Sequence, residues 1–85
     1  RYEITVNNTA DSRLMSKFRS ELQNKVESIR VMHQSAAQTK YAVQYFGRVE
    51  DIENIVYSAA ESVSGIESIS LVMIRGKTLM FRLGR

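Results

Sequence analysis

His33 is the one histidine of the chain and the one side chain whose unperturbed titration falls near neutrality. A catalytic or metal-binding role would require convergent partners: a carboxylate to orient the ring, a nucleophile within reach, or further ligands at a recognised spacing. The chain contains no cysteine, and no carboxylate stands at such a spacing from His33. The densest carboxylate group is Glu50, Asp51 and Glu53. It falls at the start of a helical pattern, where anions are favoured by the helix dipole, and near-consecutive helical residues project in different directions. The serines lie in no nucleophile elbow, and the isolated glycines Gly47, Gly65, Gly76 and Gly84 build no phosphate loop. The residues therefore predict no catalytic set, no metal site and no cofactor.

The elements that would position any site follow from periodicity. Tyr2, Ile4 and Val6 alternate with Glu3 and Thr5, the pattern of a strand with one buried face. Asn7 and Asn8 end it, and Thr9 or Asp11 offers a cap to a helix expected over Asp11 to Ser28. Leu14, Met15, Phe18, Leu22, Val26 and Ile29 line one face of that stretch. Two strand-like runs follow, Ile29 to Ser35 and Lys40 to Phe46. In the first, Ile29, Val31 and His33 share a face; in the second, Tyr41, Val43 and Tyr45 do. A second helix over Val49 to Val63 buries Ile52, Ile55, Val56, Ala59 and Val63, and Gly65 suits a left-handed cap after it. The chain closes with strand-like runs at Ile66 to Ile74 and Thr78 to Leu83, joined by the Arg75-Gly76-Lys77 turn.

Strand, helix, strand, strand, helix, strand is the order of the split βαβ, or ferredoxin-like, plan. The expected fold is α+β: two helices on one face of an antiparallel sheet, with a C-terminal strand appended at the edge beside the fourth. Residues 1–85 form one domain, and Ile4, Val6, Phe18, Leu22, Val43, Ile52, Ile55, Val56, Leu71 and Phe81 share its core. The chain begins at Arg1 with a strand directly behind it, which reads as a domain cut from a longer or processed protein. The plan itself serves many unrelated functions.

The formal charge is +3, and its distribution carries more than its sum. From Arg48 to Val63 the chain holds Glu50, Asp51, Glu53 and Glu61 against Arg48. From Ser64 onward it holds Arg75, Lys77, Arg82 and Arg85 against Glu67. An acidic second helix and a basic terminal hairpin favour heterologous, head-to-tail contacts, which close into rings or run on as filaments. The candidate interaction residues are Glu50, Asp51, Glu53, Arg75, Lys77 and Arg82.

Three resemblances bear on function. The run Lys40-Tyr41-Ala42-Val43-Gln44-Tyr45 superficially resembles the basic and aromatic central strand of the RNA-recognition motif. It lacks the glycine after the basic residue, and its parity leaves Phe46 as the one stacking platform. The strand order is also similar to that of ACT-type amino-acid-sensing modules, whose first turn contains glycine; here the turn reads Asn7-Asn8-Thr9-Ala10-Asp11. Finally, the apolar first strand, the hairpin ending in Tyr45-Phe46-Gly47, the acidic opening of the second helix and the run Ile66 to Leu83 together resemble the small αβ domains of bacterial envelope assemblies. These include the ring-building and secretin-type domains of secretion, sporulation and flagellar machines. That resemblance implies a non-enzymatic scaffold of the periplasm or cell envelope whose partners are proteins, including other copies of itself. Nucleic-acid binding and small-molecule sensing are the alternatives. The absence of cysteine fits cytoplasm, periplasm and extracellular space alike, and no apolar run reaches the roughly 18 to 20 residues that would insert this domain into a bilayer.

Overall fold

In β1 (Tyr2–Asn7) the sequence alternation becomes an alternation of faces: Tyr2, Ile4 and Val6 point into the core, and Glu3, Thr5 and Asn7 point to the other side of the sheet. The computed structural model describes residues 1–84. It is α+β, continuing through α1 (Ser12–Gln23), β2 (Ser28–Gln34), β3 (Gln38–Gln44), α2 (Val49–Glu61), β4 (Ser68–Arg75) and β5 (Thr78–Gly84). The five strands form one sheet in the order β2-β3-β1-β5-β4.

The sheet is mixed and not antiparallel throughout. β1 pairs antiparallel with β3 on one side and parallel with β5 on the other. The last strand is therefore not appended outside the fourth. It returns through the Gly76 turn and enters between β1 and β4, leaving β4 at the edge. The burial of the two strands follows this exchange. Leu79 and Phe81 of β5 are fully buried and Leu83 nearly so, whereas Ile69 and Leu71 of β4 are only half-buried. A strand flanked on both sides loses more of its apolar surface to neighbours than one at the edge. Arg82, expected near an edge, lies inside the sheet on its open face.

α1 ends at Gln23, earlier than Ser28. Its N-cap is Asp11, whose Oδ1 accepts from the Leu14 N–H at 3.1 Å. Beyond Asn24 the chain turns back toward the sheet, where the Glu27 N–H donates to the Gln44 carbonyl at 2.9 Å. α2 opens with the Asp51 carboxylate accepting from the Arg48 N–H at 3.0 Å, which gives that acid a local role besides its favourable place in the dipole.

β2 and β4 depart from simple alternation. Each carries a bulge, between Val31 and His33 in β2 and between Leu71 and Met73 in β4. One extra residue reverses the parity beyond it. His33 consequently sits opposite Lys40 on the open face, not on the core face with Ile29 and Val31, and Met73 likewise sits opposite Met80.

Of the expected core, Ile4, Val6, Phe18, Leu22, Val43, Ile52, Val56 and Phe81 are buried, and Ile55 and Leu71 pack against them half-buried. β3 ends at Gln44, before Tyr45 and Phe46. Phe46 stands in the following loop with 78% of its surface exposed.

Candidate interaction surfaces

Because both helices cover one face, the other face of the sheet is open, and its side chains fall into rows that follow from the strand registers. Arg30, Ala42, Glu3, Thr78 and Arg75 form one row; His33, Lys40, Thr5, Met80 and Met73 form the next; Gln38, Asn7, Arg82 and Ser70 form the third. Four cations, Arg30, Lys40, Arg75 and Arg82, thus share this face with the single carboxylate of Glu3. No aromatic side chain stands in these rows.

The six residues singled out from the sequence do not form one patch. Arg75 and Arg82 belong to the open face. Lys77 stands in the β4–β5 turn with Nζ 5.6 Å from the centroid of the Tyr2 ring, and the Tyr2 hydroxyl donates to the carbonyl of Gly47, just ahead of α2. The basic turn and the acidic N-terminus of α2, with Glu50 and Asp51, therefore occupy the same end of the molecule rather than opposed surfaces. Arg48 and Glu50 form the one ion pair within 4.0 Å among the described residues, and both side chains are largely exposed. Glu53 lies a turn further along α2, and Arg85 falls outside the described residues.

Charge is separated along a different axis, between the two lateral flanks. α1 packs beside edge strand β2, and α2 beside edge strand β4. α1 carries Arg13, Lys17 and Arg19 against Glu21, whereas α2 carries Glu50, Asp51, Glu53 and Glu61 with no cation inside the helix. On the first flank, a cleft of about 230 Å³ between α1 and β2 is lined by Ser16, Arg19, Val31, Gln34 and Tyr41. Burial pushes the Tyr41 phenol up to about 12, and the positive charge of Arg19 acts in the opposite direction. On the second flank, a cleft of about 360 Å³ between α2 and β4 is lined by Tyr57, Ala60, Glu61, Ile66, Glu67 and Ile69. Tyr57 donates to Glu53 Oε2 at 2.9 Å, and its ring meets Phe81 edge-on with centroids 5.9 Å apart. Desolvation, then the hydrogen bond and negative charge of Glu53, hold this phenol above its ordinary value.

The exposed large apolar side chains are concentrated on the same flanks. Val31 and Met32 lie on β2, and Val72, Met73 and Ile74 lie on β4; only Phe46 lies elsewhere. These are the strands whose outer backbone groups have no neighbour in the sheet.

A further cleft, about 460 Å³, lies where the β1–α1 loop meets the ends of β5 and the α2–β4 loop, between Asn8, Asp11, Leu14, Glu67 and Leu83. Asn8 and Thr9 there are engaged internally. Asn8 Nδ2 donates to the Leu83 carbonyl at 3.0 Å, Thr39 donates to Thr9 Oγ1 at 3.0 Å, and Thr9 donates in turn to the Ser35 carbonyl at 2.8 Å. Among the described residues no three His, Cys, Asp or Glu side chains gather as a metal site, and no helix is long and apolar enough to cross a membrane. Comparison with protein-family models, with curated proteins and with solved structures finds no match for this chain.

Arg19, Glu61, Glu67 and the bulge residues Met32 and Val72 were not among the residues expected to act. A signal for the bulges does exist in the sequence. Val31-Met32 and Leu71-Val72-Met73-Ile74 are runs of adjacent apolar residues that strict alternation does not produce in a strand with one buried face.

Proposed function

We propose that this chain is a non-enzymatic protein–protein interaction domain that assembles with proteins, including further copies of itself. The observation that carries the reading is the concentration of exposed apolar side chains on the two edge strands, five of the six large ones in all. Edge strands invite pairing with another chain, and exposed apolar surface gathered on them favours a protein partner over solvent. The strand order is compatible with a ferredoxin-like plan into which one strand has been inserted. A small αβ domain of this kind suits a scaffold of a bacterial envelope assembly, in the periplasm, with copies side by side. Sedimentation velocity from micromolar to millimolar concentration tests the reading. It expects a concentration-dependent rise in mass, weakened when Val72 and Ile74 are both replaced by serine; a strictly monomeric chain across that range would remove self-assembly.

A second reading, nucleic-acid binding, is favoured by the basic open face of Arg30, Lys40, Arg75 and Arg82. Such a face would attract phosphates in a strongly salt-dependent way, but its rows offer no ring on which a base could stack. Fluorescence anisotropy with single-stranded RNA should give weak, sequence-independent binding that disappears near physiological salt. Micromolar affinity there, lost on Arg82→Glu, would place this reading first.

A further inference from the structure

We infer that copies of this domain join by extending the sheet head to tail, edge strand β4 of one copy pairing antiparallel with edge strand β2 of the next. The inference rests on the interaction-domain reading and names its partner and geometry. β2 runs parallel to β1, since both are antiparallel to β3, whereas β4 runs against β5 and hence against β1. A copy placed alongside with its helices on the same side therefore presents β2 antiparallel to β4.

Charge selects this pairing over the two symmetric ones. Joining β4 to β4 about a two-fold axis would set α2 beside α2, with Glu53 and Glu61 on both sides of the contact. Joining β2 to β2 would set Arg19 against Arg19. Only the head-to-tail contact brings the Arg19 flank to the Glu53, Glu61 and Glu67 flank, and like charges facing across an interface are what exclude wrong partners. None of these four groups has an ion-pair partner within 4.0 Å among the described residues, so each is available for an intermolecular one.

The rows also set the register. Continuing them in line would place Arg75 beside Arg30 of the second copy, cation on cation. A stagger of two residues toward the Ser68 end preserves which face every side chain occupies. It sets Arg30 beside Met73 and His33 beside Ser70, and moves Arg19 along α2 toward Glu61. The bulges limit each ladder to short segments on either side of Met32 and Val72. This keeps the contact weak and guards against indiscriminate strand pairing. A heterologous contact of this kind continues as a ring or a filament.

The chain has no cysteine, so single cysteines report the geometry directly. Ser70→Cys and His33→Cys both fall on exposed open-face positions, and each variant should keep the unfolding midpoint of the unsubstituted chain. When the two are mixed in equal amounts and oxidised, the mixed disulfide should exceed each symmetric one several-fold. A statistical mixture, or an excess of either symmetric product, would overturn the proposed pairing. Sedimentation of the unsubstituted chain separates the two levels. Association that persists without the mixed disulfide would leave an interaction domain with a different contact, whereas no association at millimolar concentration would remove both.

Discussion

The Tyr57 hydroxyl donates to Glu53 Oε2 at 2.9 Å from one turn further along the same helix, and so holds that carboxylate on the side of α2 that faces edge strand β4. The ring is fixed in turn by its edge-on contact with Phe81. A carboxylate restrained in this way loses less side-chain freedom on meeting a cation than a free surface glutamate does, which matters because exposed ion pairs contribute only about 0 to 1 kcal/mol each. The acidic character of this flank is thus tied to the core through one aromatic side chain.

Two helix positions should respond unequally to truncation. Leu22 is fully buried, and Leu22→Ala should cost about 2 to 5 kcal/mol, a large part of the stability of so small a domain. Ile55 packs against the same core half-buried, so Ile55→Ala should cost clearly less. Urea unfolding of both variants checks the order, and equal losses would contradict the burial assigned to α2.

The buried Tyr41 phenol should make stability fall in strong base. Its value is raised from 10.0 to about 12 by desolvation, so the unfolded chain releases this proton first. The contribution is complete below pH 10 and is lost as pH rises toward 12. Denaturation midpoints measured from pH 9 to 12 should decline, and Tyr41→Phe should flatten part of that decline. An unchanged slope in the variant would contradict the assignment.

Asn8 adopts a left-handed backbone conformation, φ 70°, while its side chain donates to the Leu83 carbonyl. Asn8→Ala would keep the unfavourable backbone and lose the hydrogen bond, a cost of about 1 to 3 kcal/mol. Asn8→Gly relieves the backbone and loses the bond only, so it should be the milder change. Thermal unfolding of the pair checks this ranking.

Much of the fold was legible because it rests on local alternation. Ile4, Val6, Phe18, Leu22 and Val43 declare their faces within a few residues of sequence, and Asp11 marks a helix start by its chemistry. Gly65, expected to cap the second helix, lies instead in the turn beyond Ser62, the right-handed cap at which α2 ends. The place of β5 was not legible. Insertion beside β1 is a long-range pairing, Val6 with Phe81 across most of the chain, and Leu71 of β4 and Phe81 of β5 present equally strand-like apolar patterns that no single window ranks. The surfaces were hidden for a related reason. Glu50 and Lys77 stand far apart in sequence yet at one end of the molecule, while Arg19 and Glu61 acquire opposed positions only once α1 lies over β2 and α2 over β4. His33 changed faces because a single bulge residue, Met32, intervened.

Complementary charge reversal measures the central claim most directly. Arg19→Glu places a carboxylate where the contact would meet Glu61 and Glu67, and Glu61→Lys with Glu67→Lys places cations where it would meet Arg19. The account predicts that each variant alone sediments as a monomer at concentrations where the unsubstituted chain associates. It also predicts that mixing the two restores concentration-dependent association beyond the monomer, because both contacts of an alternating array, the reversed one and the native one, are matched again. Unimpaired association of either variant alone, or a mixture that stays monomeric, would contradict it.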